Sequence, residues 1–211
     1  MEDSLRIAEP VALARPRGAH QFEAFSPKLG RRVTFYRRPL LEQWLLLEAS
    51  PRVITFCERP GYVLINGSRQ LADFWIRYVD NQELVILYDS ASECSVISSG
   101  RDIGDSALPI RIVAPAEFAA ARTWTDNWKR ILPYLVANEG LVPSTLPRAI
   151  VGFLGEPQRL LAVEREFSAV DPVLVRTALF DLLHRGRVSA PELHAHPLSL
   201  LTSFAASEGT S

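Results

Sequence analysis

The 211-residue chain is 47% hydrophobic, enough to bury one sizeable core or two modest ones. Its formal net charge of −1 excludes a global field that would draw it to nucleic acid, so any such contact falls to local patches. No apolar run approaches the roughly 18 residues a membrane helix needs, and Glu2 and Asp3 with no apolar stretch behind them argue against a signal peptide.

Residues 1–20 mix Pro10, Pro16 and Gly18 with scattered arginines and no period, which predicts a flexible arm. Arg15 and Arg17 either touch phosphate there or are simply solvated. Ser26-Pro27-Lys28-Leu29-Gly30-Arg31-Arg32 is a basic, turn-forming segment, followed by a short apolar stretch from Val33 to Tyr36. Pro39 suits the first turn of a helix, where its missing N–H costs nothing. That helix runs to about Ala49 and stops at Ser50-Pro51. Leu41, Trp44, Leu45 and Leu47 make it apolar over more than one face, so it is packed on several sides. Glu42 in its early turns is either a carboxylate favoured by the helix dipole or a functional acid.

Val53–Cys57 and Tyr62–Ile65 read as strands around Arg59-Pro60-Gly61, and Asn66-Gly67 is a strong turn signal. Gln70–Val79 and Glu83–Tyr88 predict a second hairpin around Asp80-Asn81-Gln82. Alternation places Asp73, Trp75 and Arg77 on one face, and Leu87 with Asp89 on one face of the return strand. A tight turn near residue 81 sets Asp73 opposite residues 88–90, beside Asp89. Ile110–Val113 is expected to join the same sheet. Phe118 to about Ala137 is helical, with Trp124, Trp128, Ile131 and Leu135 at helical spacing, and Pro133 is expected to kink or divide it. These aromatics are either core or a base-stacking surface.

Gly140–Pro147 carries Pro143, Ser144 and Pro147, which is linker chemistry and sets a domain boundary at 140. The expected organisation is an arm over 1–20, one domain over 21–139 and a second over 140–211. Three helical patterns follow the boundary: Arg148–Leu154, Gln158–Phe167 and Pro172–His184. Asp171 as N-cap, Pro172 at the first helical position and Gly186 as the stop define the third. Val188–Leu193 and His196–Leu200 would supply a wing, giving a winged helix-turn-helix. The third helix of such a module enters a major groove. Here it is rich in Val173, Leu174, Val175, Leu179 and Leu182, with Arg176 on the helix and Arg185 and Arg187 at its end, which is thin for reading base edges. Docking onto protein and binding DNA both remain open. Cys57 and Cys94 have no Cys or His nearby at metal-ligand spacing and read as reduced residues of a cytoplasmic protein.

These residues resemble TnsA, the endonuclease subunit of heteromeric transposases, over about residues 22–200. The likeness lies in Ser26-Pro27-Lys28-Leu29-Gly30-Arg31, Leu40-Leu41-Glu42 and the run from Leu46 to Val53. It continues in Phe56-Cys57-Glu58-Arg59-Pro60, Ala72-Asp73-Phe74, Asp126-Asn127-Trp128 and Leu182-Leu183-His184-Arg185-Gly186. The resemblance implies an α/β (α+β) fold: a restriction-endonuclease-like mixed sheet with flanking helices, then a small C-terminal winged helix. It implies Mg²⁺- or Mn²⁺-assisted hydrolysis of a phosphodiester at a transposon end. A recombinase subunit of the transposase and an AAA+ regulator would be the partners, with no membrane involved. In the family a helical Glu, a strand Asp and a Glu or Gln on the return strand hold the metal, with a lysine two residues further on.

Glu42 and Asp73 match those positions. The return strand reads Leu87-Tyr88-Asp89, so Leu87 offers no side-chain oxygen to a hard cation and Asp89 is negative where a lysine is expected. Ala72 replaces the usual proline and Arg59 the usual glutamine. Either the site is rebuilt, with Asp89 as a ligand beside Glu42 and Asp73 and with Lys28 or an arginine standing in for the lysine, or nuclease activity is lost and the fold serves as a scaffold. Lys28, Arg31, Arg32, Arg176, Arg185 and Arg187 are the candidates for DNA contact. A free-standing winged-helix regulator is the reading from outside transposition.

Overall fold

The turn residues at Ser26–Gly30 close the first hairpin in the computed structural model, which describes residues 9–65, 67–88 and 108–207. Strands β1 (Phe22–Ser26) and β2 (Arg31–Phe35) pair antiparallel with Ser26 opposite Arg31. Gly30 takes φ 61° and donates its N–H to the Ser26 carbonyl at 2.9 Å, a backbone state that suits glycine. The arm ahead of it is fastened at one point: Val11 N–H donates to the Arg59 carbonyl at 2.8 Å, and Arg59 Nε returns a bond to the Val11 carbonyl at 3.1 Å.

Helix α1 (Arg38–Ala49) starts and stops where Pro39 and Pro51 predict. Six strands follow in two sheets. β3 (Val53–Glu58), β6 (Phe74–Tyr78), β7 (Gln82–Leu87) and β8 (Ile110–Val113) form a mixed sheet in the order β3-β6-β7-β8, while β4 (Tyr62–Ile65) and β5 (Ser68–Leu71) pair only with each other. β3, β6 and β7 are antiparallel neighbours and β8 joins β7 in parallel. The central strand β6 is covered on both faces, because Phe74, Trp75 and Ile76 are all buried. Phe74 meets Phe35 and Phe56 with ring centroids 6.0 and 6.4 Å apart, and Phe35 in turn meets Trp44 of α1 at 6.1 Å. Trp75, Leu84, Ile86 and Cys57 pack instead with Val63 and Ala72 from the β4–β5 hairpin.

Two expectations for this region are corrected. The continuous strand Gln70–Val79 is two strands, broken at Ala72-Asp73, where the chain leaves β5 and enters the larger sheet. The β6–β7 register is also different, with Phe74 opposite Val85 and Arg77 opposite Gln82. The loop is Val79–Asn81, closed by Tyr78 N–H donating to the Asn81 carbonyl at 2.9 Å. Asp73 therefore lies beside Ile86 and Leu87, not opposite residues 88–90. Asp89 and Cys94 lie outside the described residues.

The chain divides into two units by its contacts. One takes in the described residues up to Leu47 and from Arg52 to Ala119; the other holds Glu48–Pro51 and the described residues from Ala120 onward. The second unit thus begins well before residue 140. The cause is helix α3 (Arg122–Ala137), whose Trp128, Ile131, Leu132 and Leu135 are buried, and which packs on the long helix α6 (Pro172–His184). α3 runs unbroken through Pro133, and a separate short helix α2 (Pro115–Ala120) precedes it. Between α3 and α6 lie α4 (Leu146–Phe153) and α5 (Leu160–Glu166). α6 starts as predicted, with the Asp171 carboxylate accepting from Val173 N–H at 2.8 Å.

A three-stranded antiparallel sheet completes the second unit, in the order β10 (Val188–Ser189), β11 (Ser203–Ala206), β9 (Gln158–Arg159). Its middle strand is Ser203–Ala206, not the expected His196–Leu200. Residues 196–202 form an irregular segment held by Asn127, whose Nδ2 donates to the Leu193 and His196 carbonyls at 2.8 Å each and whose Oδ1 accepts from Leu198 N–H at 2.7 Å. Among the described residues no helix is long and apolar enough to cross a membrane.

Candidate functional site

Asp73 sits at the joint between two sheets, and its position follows from the backbone bonds around it. Its N–H donates to the Val85 carbonyl and its carbonyl accepts from Arg59 N–H, both at 2.9 Å. Those bonds fix the carboxylate near the end of β7. Oδ2 accepts from Leu87 N–H at 2.7 Å, and Oδ1 accepts from Arg37 Nη2 at 2.8 Å. Asp73 is 8% exposed, so both bonds are made in a partly dehydrated setting, where charge-assisted hydrogen bonds are strong.

Glu42, one turn into α1, pairs with Arg38 Nε at 2.9 Å across the helix surface. That is an i,i+4 pair of the kind that contributes a few tenths of a kcal/mol. The two acids thus each face an arginine from the short Arg37-Arg38 segment. The Leu87 side chain is buried and apolar.

As they stand, Glu42 and Asp73 by themselves do not make a site for a hard divalent cation, and Asp89 lies outside the described residues. Such an ion takes several carboxylate, carbonyl and water oxygens, yet on Asp73 one oxygen faces a guanidinium and the other a backbone N–H. Among the described residues no group of three or more His, Cys, Asp or Glu side chains is placed to hold a metal. What the geometry makes is a structural ion pair: Arg37 links the start of α1 to the joint before β6, and Asp73 passes the link to the end of β7.

A second buried acid, quoted above within Phe56-Cys57-Glu58-Arg59-Pro60, was given no role of its own in the sequence. Glu58, 2% exposed at the end of β3, takes a two-pronged bond from Arg31, with Nη1 to Oε1 at 2.7 Å and Nη2 to Oε2 at 2.6 Å. The hydrogen bond to Glu58 raises the Arg31 pKa further above its usual value. The only signal was an acid inside a β-branched and aromatic strand, Val53-Ile54-Thr55-Phe56-Cys57-Glu58, where an unpaired carboxylate would be costly.

The DNA-contact candidates separate by what they already bind. Lys28 Nζ donates to the Val53 carbonyl at 2.7 Å, Arg31 is paired with Glu58, and Arg32 is exposed. In the second unit Arg176 donates to Glu164 and, at 3.1 Å, to the Tyr134 hydroxyl. Its bond to Glu164 holds its pKa well above the ordinary guanidinium value. Arg185 pairs with Asp181 at 2.9 Å along the same helix, and Arg187 is exposed. Helix α6 keeps Val175, Thr177, Ala178, Leu179, Phe180, Leu182 and Leu183 buried, so most of its length serves the core of its own unit. Trp128 is likewise core; Trp124 stacks on His194 with centroids 4.0 Å apart. No protein-family model matches the chain, and no curated protein matches it.

Proposed function

We propose that the chain is a TnsA-like subunit of a DNA transposition complex. In this reading a restriction-endonuclease-like domain serves as a scaffold for the transposon end or for partner subunits, and does not cut. The single observation that carries the loss of cutting is the state of Asp73. Its carboxylate is committed to Arg37 and to the Leu87 N–H, and Leu87 stands where the return-strand acid of an active site would be.

The nuclease-like ancestry is supported by a mixed sheet flanked by helices, with Glu42 on the helix ahead of it and Asp73 at the head of a central strand. The winged-helix reading of the second unit is supported by three helices and a small antiparallel sheet, α4, α5 and α6 with β9, β10 and β11. Reading of base edges needs exposed Arg, Asn or Gln; on α6 the one such residue, Arg176, is bound to Glu164, and this weighs for docking onto a recombinase or an ATPase instead.

The test is isothermal titration of Mn²⁺ into the wild type and Asp73→Ala, with a nicking assay on supercoiled DNA in Mg²⁺ and Mn²⁺. The expected result is no Asp73-dependent Mn²⁺ binding and no nicking. Cutting by the wild type that disappears in a still-folded Asp73→Ala would overturn the scaffold reading in favour of a rearranged nuclease site.

A further inference from the structure

On the second unit, α3, α5, α6 and the segment after His196 surround a half-open depression of about 220 Å³. Leu160 and Phe180, both buried, and Leu200 give it apolar walls; Arg130, Tyr134 and Arg176 give it polar ones. Tyr134 is set against Phe180 edge to face, with centroids 5.3 Å apart. Its hydroxyl is held from one side by Arg176 at 3.1 Å.

Charge and hydrogen-bond capacity then decide what fits. Arg176 is neutralised by Glu164. Arg130 donates Nη1 to the Leu198 carbonyl at 3.2 Å and, among the described residues, pairs with no carboxylate. The depression therefore presents one uncompensated positive charge. Tyr134 accepts from Arg176, and its own hydroxyl proton meets no acceptor among the described residues. A phenol can donate as well as accept, so a donor and a guanidinium fork stand beside an apolar wall. A carboxylate matches a guanidinium fork in shape and charge. A phosphate dianion would carry twice the charge that Arg130 offers and would leave the apolar walls unused. The volume lies below the roughly 300–1,000 Å³ of sites for drug-sized ligands, which limits the apolar part to about one side chain.

We infer that this depression is a binding site for a carboxylate carried on a single aromatic or branched apolar group, with Arg130 and the Tyr134 hydroxyl on the carboxylate and Leu160, Phe180 and Leu200 around the apolar part. Either a free organic acid or the carboxyl end of a polypeptide finishing in an apolar residue has this chemistry. The site is independent of the transposition reading, since none of its residues belongs to the Glu42 and Asp73 region.

The experiment is a ¹⁵N-edited NMR titration of the full chain with phenylacetate and with phenylacetamide, which differ only in the charged group. A short peptide ending in phenylalanine, and its C-terminal amide, form the second arm. Phenylacetate is expected to shift amides around Tyr134, Phe180 and Leu200, with the amide weaker by about tenfold or more, as loss of a charge-assisted pair requires. Arg130→Gln, at an exposed position, should remove that preference without moving the melting temperature, and Tyr134→Phe should weaken the acid by a smaller factor. Tighter binding of the acid-ended peptide than of phenylacetate identifies a chain terminus as the ligand; the reverse identifies a free acid. Equal binding of acids and amides, or no shifts at these residues with any probe at millimolar concentration, overturns the inference.

Discussion

The Asp73 carboxylate has one oxygen on Arg37 and one on the Leu87 N–H, so replacing it by alanine leaves a buried backbone donor without this bond and takes a carboxylate away from the Arg37 guanidinium. Asp73→Ala is expected to lower stability by about 2–4 kcal/mol. Arg37→Ala, which leaves the Leu87 bond intact and removes a side chain that is 38% exposed, is expected to cost about 1 kcal/mol. Urea denaturation of the two variants checks both figures. Asp73→Ala as stable as wild type would mean the carboxylate is kept for chemistry instead of structure. Gly186 offers a sharper steric case. It adopts φ 71°, and a Cβ there would lie 2.6 Å from Pro51 Cβ. Gly186→Ala combines left-handed strain with that clash and is expected to cost about 1–3 kcal/mol in the same assay.

Within the β6–β7 hairpin, Tyr78 donates its hydroxyl to Glu83 at 2.8 Å, and Glu83 also receives Arg111 of β8 at 3.3 Å. Burial, then the bond to Glu83, push the Tyr78 pKa from 10.0 up to about 12. A raised pKa means the folded state holds the proton more tightly, so this contribution is complete below about pH 10 and is lost as pH rises through about 12. Ultraviolet titration of tyrosinate should show a late-ionising component that is absent from Tyr78→Phe; identical curves for the two proteins would contradict the pairing. The same hairpin marks where sequence reading stops. Alternation continues smoothly through Leu71-Ala72-Asp73-Phe74 although the chain changes sheets there, because a buried Ala and a buried Asp look like ordinary strand positions. The turn residues Asp80-Asn81-Gln82 fit several registers. The observed one is chosen by contacts far along the chain, such as Arg37 with Asp73. Helix α6 was legible to the residue, because Asp171, Pro172 and Gly186 are local signals that need no distant partner. Arg31 with Glu58 and Arg37 with Asp73 were not, since pairing across 27 and 36 positions leaves no local trace.

At the scale of the molecule, the division of the chain departs from its linker composition. Gly140–Pro147 looks like a boundary, but the core of the second unit includes α3, and Asn127 alone makes three bonds to residues 193–198. A fragment of residues 140–211 is therefore expected to show no cooperative thermal transition, whereas residues 120–211 should melt cooperatively by circular dichroism. Cooperative melting of the shorter fragment would place the boundary back at the linker. The order of strands in the small sheet carries one more consequence. β11 lies between β9 and β10 yet is the last of the three to be made. A nascent chain still short of Ala206 holds two strand edges with nothing between them, and an open edge invites pairing with other chains. A chain truncated before Ser203 would thus keep every α-helix of this unit and still leave those two edges open to aggregation.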